Sequence, residues 1–436
     1  MDKQRLSSWL IRQDISKKEE IWLHGYTGAV DIVEKDLIAS PSEDVKSQMI
    51  DKGYLTDKTA AEEQEHFSSL VSEIEGIEPD GNVYVLQLTI ACNFACAYCS
   101  ENAARRIKGH KEKIITQEHL ANIRKVISTC SRDTSKDKLV LFGGEPLLLE
   151  NSEIVIAVVD MFKQIEMNNM EVITNGYNVD AFIDLFDGID CTFQVTLDGT
   201  KDVHDKRRVE KHTRRSYDKI TKNVLVLLDR GHVVYLRMNV DHNNKEDIPD
   251  LFDEFAALSL DGNQKFKPYF GYTHDYGKYE NQSKSIDLYH YFSEFESIER
   301  FGISRDPCEI ERTLEHSITE DAPFKYKATH CGANKGNMLM FAPDGKIHTC
   351  WDAMPTDNEV GNYYPDISWS RDVQEREWLS RTINNIPECK KCKYALFCAG
   401  GCQYMAKNST GSYFSPYCNG FQSVFNDVLA QIGRKL

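Results

Sequence analysis

Three closely spaced cysteines follow the first strongly apolar run of the chain. Cys92, Cys96 and Cys99 form a C-x3-C-x2-C triplet directly after a strand predicted at Val83–Ile90. Three thiolates at this spacing suit three corners of a cubane iron–sulfur cluster and leave the fourth iron open to another ligand. A zinc site or three buried thiols are the alternatives, although zinc usually takes paired C-x2-C knuckles from separated positions. The triplet therefore predicts a four-iron cluster that binds a further molecule.

Apolar runs alternate with helical patterns between residues 81 and 300. Continuous apolar runs of this length are typical of buried parallel strands. The predicted strands are Val83–Ile90, Lys138–Phe142, Glu171–Thr174, Thr192–Leu197, Val233–Val240 and Phe266–Phe270. The predicted helices are Gln117–Cys130, Glu153–Glu166, Val179–Phe186, Tyr217–Asp229, Ile248–Leu258 and, after the last strand, Ile286–Phe301. The alternation predicts an α/β fold, a six-unit open version of the βα barrel, with its chemistry at the carboxyl ends of the strands.

Polar or glycine-rich residues follow four of these strands, where such a barrel places its ligand. They are Gly143-Gly144-Glu145-Pro146, Thr174-Asn175-Gly176, Thr196 with the later segment His204-Asp205-Lys206-Arg207-Arg208, and Asn239. Together with the triplet, these segments resemble the radical S-adenosylmethionine (SAM) enzymes. The resemblance implies a partial (β/α)6 barrel of the radical SAM type. It also implies SAM chelated to the open iron, an electron that cleaves the sulfonium, and a 5′-deoxyadenosyl radical that abstracts hydrogen.

The resemblance also assigns expected SAM contacts. It implies that Thr196 and Arg208 bind the methionine carboxylate and the ribose. The planar guanidinium of an arginine suits a carboxylate, because it can donate two parallel hydrogen bonds to it. Backbone groups of the segment 143–146 would meet the methionine ammonium. The remaining expected pocket residues are Asn175, Asn239 and Tyr98, of which the last two would lie near adenine. A surface position for Arg208 is the alternative.

A second cysteine array lies in the last third of the chain. Its spacing is Cys331-x13-Gly345-x4-Cys350, then Cys389-x2-Cys392-x5-Cys398-x3-Cys402-x15-Cys418. A zinc ribbon is the alternative for the central four. The whole array resembles the SPASM domain, which implies two auxiliary four-iron clusters. The resemblance gives the first cluster Cys331, Cys350 and Cys402, and gives the second Cys389, Cys392, Cys398 and Cys418.

The array supplies seven ligands, whereas two complete clusters need eight. Sulfatase-maturing relatives have a further cysteine six residues after the first, and this chain has Asn337 there. The departure weakens a sulfatase-maturase assignment. It predicts either an open iron in the first auxiliary cluster or recruitment of Cys308.

The segment 1–80 precedes the alternating region. We expect strands near Ser8–Arg12 and Glu20–Val33 and helices near Ser42–Lys52 and Ala60–Ile74. This small α+β module resembles the leading segment of ribosomal-peptide maturases, where such a module captures a precursor by adding it as a strand. A packing cap on the barrel is the alternative. The predicted domains are 1–80 for this module, 81–300 for the radical SAM core and 301–436 for the SPASM region, which a helix near Phe421–Arg434 closes.

The composition excludes several classes of function. A net charge of −16 argues against nucleic acid as the main partner. No apolar run approaches the ~18–20 residues of a membrane span, and the N-terminus has no signal core. We therefore expect a cytoplasmic protein without a membrane partner, whose clustered cysteines bind metal rather than form disulfides.

Peptide maturation is the expected function. The enzyme would take hydrogen from a ribosomally made precursor peptide and oxidise or crosslink it, with electrons from a flavodoxin- or ferredoxin-type reductant. Tyr272, His274 and Asp275, at the mouth after the sixth strand, are candidate proton acceptors. The alternatives are a formylglycine-type protein maturase, a small-molecule dehydrogenase of the SPASM group, and a non-catalytic iron–sulfur electron carrier, which would need no SAM pocket.

Overall fold

The computed structural model describes residues 4–99, 101, 109, 113–272, 285–292, 294–303, 309–352, 359–370 and 377–436. Its main feature is a ten-stranded sheet in the order β11-β10-β9-β8-β7-β6-β12-β13-β14-β15. Two smaller sheets pair β1 with β5 and order β2-β3-β4. Within the described part of the chain, no helix is long and apolar enough to span a bilayer.

The N-terminal elements are β1 (Arg5–Leu6), β2 (Leu10–Asp14), β3 (Glu19–His24), β4 (Val30–Glu34), α1 (Lys35–Ala39), α2 (Glu43–Asp51), β5 (Leu55–Thr56) and α3 (Ala60–Glu75). The central elements are β6 (Val83–Gln87), α4 (Gln117–Cys130), β7 (Lys138–Phe142), α5 (Ser152–Gln164), β8 (Asn169–Ile173), α6 (Val179–Phe182), β9 (Cys191–Thr196), α7 (Lys201–Arg207), α8 (Tyr217–Asp229), β10 (Val233–Val240), α9 (Ile248–Ala257), β11 (Phe266–Tyr272), α10 (Ser285–Phe292) and α11 (Glu296–Glu299). The C-terminal elements are α12 (Ile310–Thr319), α13 (Gly332–Lys335), β12 (Met338–Phe341), β13 (Lys346–His348), β14 (Glu359–Asn362), β15 (Ser368–Trp369), α14 (Ala395–Cys398), α15 (Gln403–Thr410) and α16 (Phe421–Lys435).

The strands β6 to β11 form the predicted open (β/α)6 barrel. Each pairs in parallel with the next in chain order, so all six carboxyl ends lie at one rim. Outward residues such as Leu139 and Leu141 are fully buried and belong to the same apolar cluster as the helices around the sheet. This alternation fixes the register of the inward residues, because a shift by one residue would expose the apolar set. The predicted fold class is therefore confirmed.

The sheet continues beyond the sixth unit. β12 pairs in parallel with β6, with Met338 opposite Val83. The Asn337 side chain donates to the Gly81 carbonyl at 2.8 Å, and the Asn337 carbonyl accepts from the Val83 amide at 2.7 Å. The C-terminal region thus extends the barrel sheet itself. Sequence patterning missed this pairing, because β12 is short and its partner lies far away in the chain.

The N-terminal module packs on the C-terminal region. Trp9 stacks on Phe67 with ring centroids 3.7 Å apart, and both belong to a buried cluster with Ile383 and Leu396. The Lys393 ammonium donates to the Leu10 carbonyl at 3.0 Å. The module therefore packs against the cysteine-rich region, and Ile11 and Ile21 also share a buried cluster with Tyr289 of α10.

Two predicted elements are each divided. The segment predicted as one strand at Glu20–Val33 is the hairpin β3–β4, with Gly28 at a φ of 76° in its turn. The segment predicted as one helix at Ile286–Phe301 is α10 followed by α11. Turn-type hydrogen bonds from the Glu294 amide to Tyr291 and from the Phe295 amide to Phe292 separate the two helices. Gly25 and Gly28 mark the first turn, and the prediction of one strand overlooked them. In the second segment the apolar pattern continued through the turn.

Candidate active site

A cavity of about 230 Å³ lies at the carboxyl rim of the barrel. Most of the site residues predicted for the core line it together: Cys92, Cys96, Tyr98, Cys99, Gly143, Gly144, Glu145, Asn175, Thr196, Arg208 and Asn239. Pro146 is buried beside Glu145 and does not line it. The structure therefore brings the cysteine triplet and the ends of four strands to one place.

Backbone contacts hold the cysteine loop. The Phe94 amide donates to the Cys92 sulfur at 3.3 Å. The Ala95 amide donates to the Val209 carbonyl at 2.9 Å, and the Lys211 amide donates to the Asn93 carbonyl at 2.9 Å. The chain just after Arg208 thus pairs with the triplet loop, which fixes the loop against the barrel rim.

The three thiols are expensive to ionise in this buried loop unless a metal binds them. Burial raises the pKa of Cys96 to about 12, although the Arg208 guanidinium acts in the opposite direction. The neighbouring thiols of Cys99 and Cys92 raise that pKa further, because negative charges this close repel each other. A bound cationic metal removes this penalty, since it deprotonates a coordinating thiol outright. The donor set therefore fits the predicted cluster.

The paired glycines pack against the strand that precedes the triplet. A Cβ added at Gly144 would lie 2.2 Å from the Ala91 carbonyl oxygen, and one at Gly143 would lie 2.3 Å from that of Thr89. The Gly144 amide donates to the Thr89 carbonyl at 2.8 Å. We predicted these glycines for close approach to a ligand. The close approach that the structure shows is to the backbone at 89–91.

Glu145 joins two strand ends. Its buried carboxylate accepts from the Thr174 hydroxyl at 2.6 Å, from the Asn175 amide at 2.6 Å and from the Leu147 amide at 2.9 Å. Burial raises the pKa of Glu145, and these hydrogen bonds oppose that rise. The Asn175 side chain in turn donates to the Asn93 side-chain oxygen at 2.7 Å. Glu145 therefore positions the loop 174–175 next to the triplet.

Arg208 enters the cavity as part of a buried network. Its Nη1 donates to the Tyr98 hydroxyl at 2.9 Å, and that hydroxyl donates to Asp198. The Asn239 amide donates to Asp198 at 2.9 Å. Burial holds the pKa of Tyr98 well above its usual value, so the phenol stays neutral. The Nε of Arg208 is buried without a hydrogen-bond partner.

The residues before Arg208 hold it in place. His204 is fully buried, and burial lowers its pKa well below the usual value. The neutral ring accepts from the Asp198 amide at 3.3 Å and lies 3.0 Å from the Ser216 hydroxyl, which donates to the Arg208 carbonyl. Asp205 accepts from the amides of Ser216 and Tyr217 at the start of α8. Both residues therefore position Arg208 without lining the cavity themselves.

Sequence reasoning missed several wall residues. Gln194 and Arg237 point into the cavity from β9 and β10, two residues before Thr196 and Asn239. The period of two along a strand would have identified both. Trp351 and Asp352 reach the cavity from the C-terminal region, directly after Cys350. No local sequence pattern predicted that these two side chains would line the cavity.

Of the predicted proton acceptors, only Tyr272 lies among the described residues. It ends β11, opposite Val240 on β10. His274 and Asp275 lie outside the described residues, as does Cys308. All three acceptor assignments stay predictions.

The C-terminal cysteines form two neighbourhoods. Burial raises the pKa of Cys389 to about 12, and the thiols of Cys398, Cys392 and Cys418 raise it further. Burial likewise raises the pKa of Cys402 to about 11, and Asp352 and Cys331 add to the effect. Cys350 and Cys402 both lie near Tyr404. These contacts agree with the grouping that the SPASM resemblance implies, and both the grouping and the ligand roles stay predictions.

Among the described residues, no three His, Cys, Asp or Glu side chains converge closely enough to hold a single metal ion.

Comparison with known proteins identifies the core. Residues 86–255 match the model of the Radical SAM superfamily. The chain is 23% identical over 340 residues to the molybdenum cofactor biosynthesis protein moc-5 of Caenorhabditis elegans, covering 75% of this chain and 52% of that protein. It thus spans about half the length of that relative. It is 21% identical over 366 residues to the cysteine-type anaerobic sulfatase-maturating enzyme of Clostridium novyi, covering 78% of this chain and 93% of that enzyme.

Two solved structures extend the likeness beyond the core. Native anSMEcpe with bound AdoMet and Cp18Cys peptide has a TM-score of 0.61 at 17% identity, covering 82% of this chain and all of that one (100%). Streptococcus suis SuiB bound to the precursor peptide SuiA has a TM-score of 0.53 at 11% identity, covering 94% and 98%. At these identities the likeness establishes the fold. The chain therefore carries a domain of the Radical SAM superfamily at residues 86–255, within an overall fold that it shares with anSMEcpe and SuiB.

Proposed function

We propose that the chain is a radical SAM peptide maturase with a SPASM region, which abstracts hydrogen from a ribosomally made precursor peptide and oxidises or crosslinks it. The observation that carries the proposal is the cavity that joins Cys92, Cys96 and Cys99 to the strand-end residues Thr196 and Arg208. An electron carrier needs no such cavity. The similarity to SuiB, whose structure holds a precursor peptide, supports a peptide substrate.

In this proposal, the barrel residues hold SAM next to the triplet. When bound, the cluster and SAM supply a 5′-deoxyadenosyl radical. Arg208 offers its free Nε to the methionine carboxylate while Tyr98 keeps the fork aligned. Thr196 lines the wall beside it, and Asn239 faces the adenine side. Glu145 binds no ligand directly and instead fixes the loop of Asn175.

We further propose Asp352 as the proton acceptor after hydrogen abstraction. Three carboxylates line the cavity: those of Glu101, Glu145 and Asp352. Of these, Asp352 also lies close to Cys402, so a proton taken up there would be beside the proposed electron acceptor.

The auxiliary clusters complete the proposal. Cys331, Cys350 and Cys402 would hold the first auxiliary cluster, and Cys389, Cys392, Cys398 and Cys418 would hold the second. The eighth ligand would be Cys308, or one iron of the first cluster would have no protein ligand. Asn337 forms hydrogen bonds with the backbone of Gly81 and Val83 and has no thiolate to offer a cluster. Asp352 lies close to Cys402. A cluster held by Cys402 would therefore be near the cavity and could accept the substrate electron.

We assign the N-terminal module, residues 1–80, to peptide capture. The radical SAM core is then residues 81–300 and the SPASM region residues 301–436. Among the described strands, β4 is paired on one side only, by β3, and its Ile32 is 39% exposed. An edge of this kind accepts an added strand. Ile32→Lys should therefore weaken peptide binding without changing SAM cleavage. A cytoplasmic flavodoxin- or ferredoxin-type protein would supply electrons.

The test is anaerobic co-expression with candidate precursor peptides, followed by mass spectrometry and an assay for 5′-deoxyadenosine. A loss of two hydrogens per modification, together with 5′-deoxyadenosine, is the expected result. Absence of 5′-deoxyadenosine from reduced, iron-loaded protein would refute the proposal at its first step. Cleavage of SAM with no change in any peptide would refute only the substrate.

A formylglycine-type protein maturase is the second candidate. The likeness to the Clostridium novyi enzyme over 93% of its length favours it. The two candidates differ in substrate, because a formylglycine maturase oxidises one cysteine or serine in a protein partner. Conversion of a cysteine peptide to an aldehyde, detected with a hydrazide probe, would favour this candidate over crosslinking.

A further inference from the structure

A buried arginine lies between the two groups of C-terminal cysteines. Arg381 is 0% exposed. Its Nε donates to the Tyr413 carbonyl at 2.6 Å, and its Nη1 donates to that of Gly401 at 2.9 Å. Its Nη2 donates to the carbonyls of Gly400 at 2.9 Å and Ser415 at 3.0 Å. All four acceptors are neutral, and among the described residues no carboxylate pairs with this guanidinium.

Thiols surround the same guanidinium. A Cβ added at Gly400 would lie 3.3 Å from the Cys389 sulfur and 3.6 Å from Nη2 of Arg381, so both atoms border one small space. Burial lowers the pKa of Arg381, because it disfavours the charged form. The thiols of two cysteines from each group oppose this lowering of the Arg381 pKa. They are Cys331 and Cys402 from the first group and Cys389 and Cys398 from the second.

A buried cation of this kind needs an opposite charge. Carbonyl dipoles offset part of the desolvation penalty, but a fully buried guanidinium is usually paired with an anion. A cubane held by thiolates has a net negative charge, which increases on reduction, and its reduction potential depends on nearby charges and hydrogen bonds. Arg381 is therefore placed where two such clusters would supply the missing counter-charge.

We propose that Arg381 is a positioning residue shared by both auxiliary clusters, whose charge raises their reduction potentials. Its fork also holds the carbonyls of Gly400 and Gly401, between Cys398 and Cys402, and that of Ser415, three residues before Cys418. The inference rests on the auxiliary clusters of the proposed function. It adds that one cation serves both of them.

The test is a potentiometric titration, followed by electron paramagnetic resonance, of anaerobically purified wild type, Arg381→Gln and Arg381→Lys. In Arg381→Gln the equilibrium constant for reduction of each auxiliary cluster should fall at least tenfold. This corresponds to a reduction potential lower by about 59 mV for a one-electron couple. Arg381→Lys keeps the charge and should shift less. The cluster of the triplet 92–99 should keep its potential and is the internal reference.

The controls separate the possible outcomes. Arg230→Gln removes an exposed arginine that pairs with Asp184 and Asp187, and it should shift nothing. Auxiliary iron that loads in Arg381→Lys and is absent from Arg381→Gln supports the role of the charge. Loss of that iron from both variants, or equal potentials in all proteins, overturns the inference. Wild-type protein with iron for one cluster only contradicts the proposed function, and that result is visible before any variant is compared.

Discussion

The two cysteine-rich regions are held by different kinds of structure. The triplet at 92–99 lies at the rim of a parallel sheet, where the strand ends at Gly144 and Asn175 fix it through backbone and side-chain hydrogen bonds. The C-terminal array lies on short helices and loops, whose carbonyls converge on the guanidinium of Arg381. Regular strands position the first region, whereas a single buried cation organises the second.

The difference also affects what each region can tolerate. A sheet rim is held by many pairings, so the loss of one side chain leaves the backbone in place. The C-terminal region instead depends on the N-terminal module, through contacts such as Lys393 with Leu10 and Trp9 with Phe67. We therefore expect that damage to the two regions can be separated.

Removal of one cysteine from each region should separate them most strongly. Cys96→Ala should abolish SAM cleavage, because the remaining two thiols cannot hold the cluster. Cys389→Ala should keep SAM cleavage and lose peptide modification. Measurement of 5′-deoxyadenosine and iron content checks both. Cys191→Ala, a buried cysteine of β9 that does not line the cavity, is the matched control. Normal SAM cleavage in Cys96→Ala would refute the assignment of the site.

A substitution at the paired glycines should damage only the first region. Gly144→Ala places a Cβ 2.2 Å from the backbone oxygen of Ala91, which neither strand can relieve without moving. We expect a loss of about 3 kcal/mol in the free energy of unfolding, together with loss of cluster iron from the triplet. Gly262→Ala is the control, since nothing lies within 4 Å of its added Cβ. Denaturant titration of both variants measures the difference, and equal stability would show that the loop can shift freely.

The same residues show how far the sequence could be interpreted. The strands Lys138–Phe142 and Val233–Val240 were predicted with their correct bounds, because each is mostly apolar and lies between residues that interrupt a strand. These are Asp137 and Gly143 for the first strand, and His232 and Asp241 for the second. The grouping of the C-terminal cysteines came from the SPASM resemblance and stays a prediction. The pairing of β12 with β6 and the approach of Asp352 to the cavity could not be predicted, since both depend on contacts between distant segments. The close packing of Gly144 on the backbone at Ala91 could not be predicted for the same reason, while its approach to a ligand stays a prediction.

Acid should destabilise the N-terminal module, on which the C-terminal region packs. His24, in the N-terminal module, is fully buried, and burial lowers its pKa to about 4. Its Nδ1 accepts from the Thr27 amide at 3.2 Å, so protonation breaks that bond. Because the unfolded histidine titrates near 6.5, the neutral form stabilises the fold above that pH. This stabilisation is lost as the pH falls from about 6.5 towards 4, by about 2 kcal/mol between pH 7 and pH 5.

Hydrogen exchange at pH 7 and pH 5 would locate the change. Peptides from the N-terminal module and from residues 385–402 should lose protection, whereas peptides from β7 and β8 should not. His24→Gln should flatten the pH dependence in the first group. A uniform loss over the whole chain would contradict the separation of the two regions.

The smallest effect should come from Arg208→Lys. The ammonium keeps the positive charge near Tyr98 and Asp198 but has no second arm for the methionine carboxylate. We expect about tenfold weaker SAM binding, or about 1.4 kcal/mol, with cluster content unchanged. Arg230→Lys is the control, because Arg230 is exposed, pairs with Asp184 and Asp187 and does not line the cavity. Calorimetric titration of SAM into both reconstituted variants would decide whether Arg208 binds the ligand or only closes the network around Tyr98. Unchanged affinity would assign it the second role.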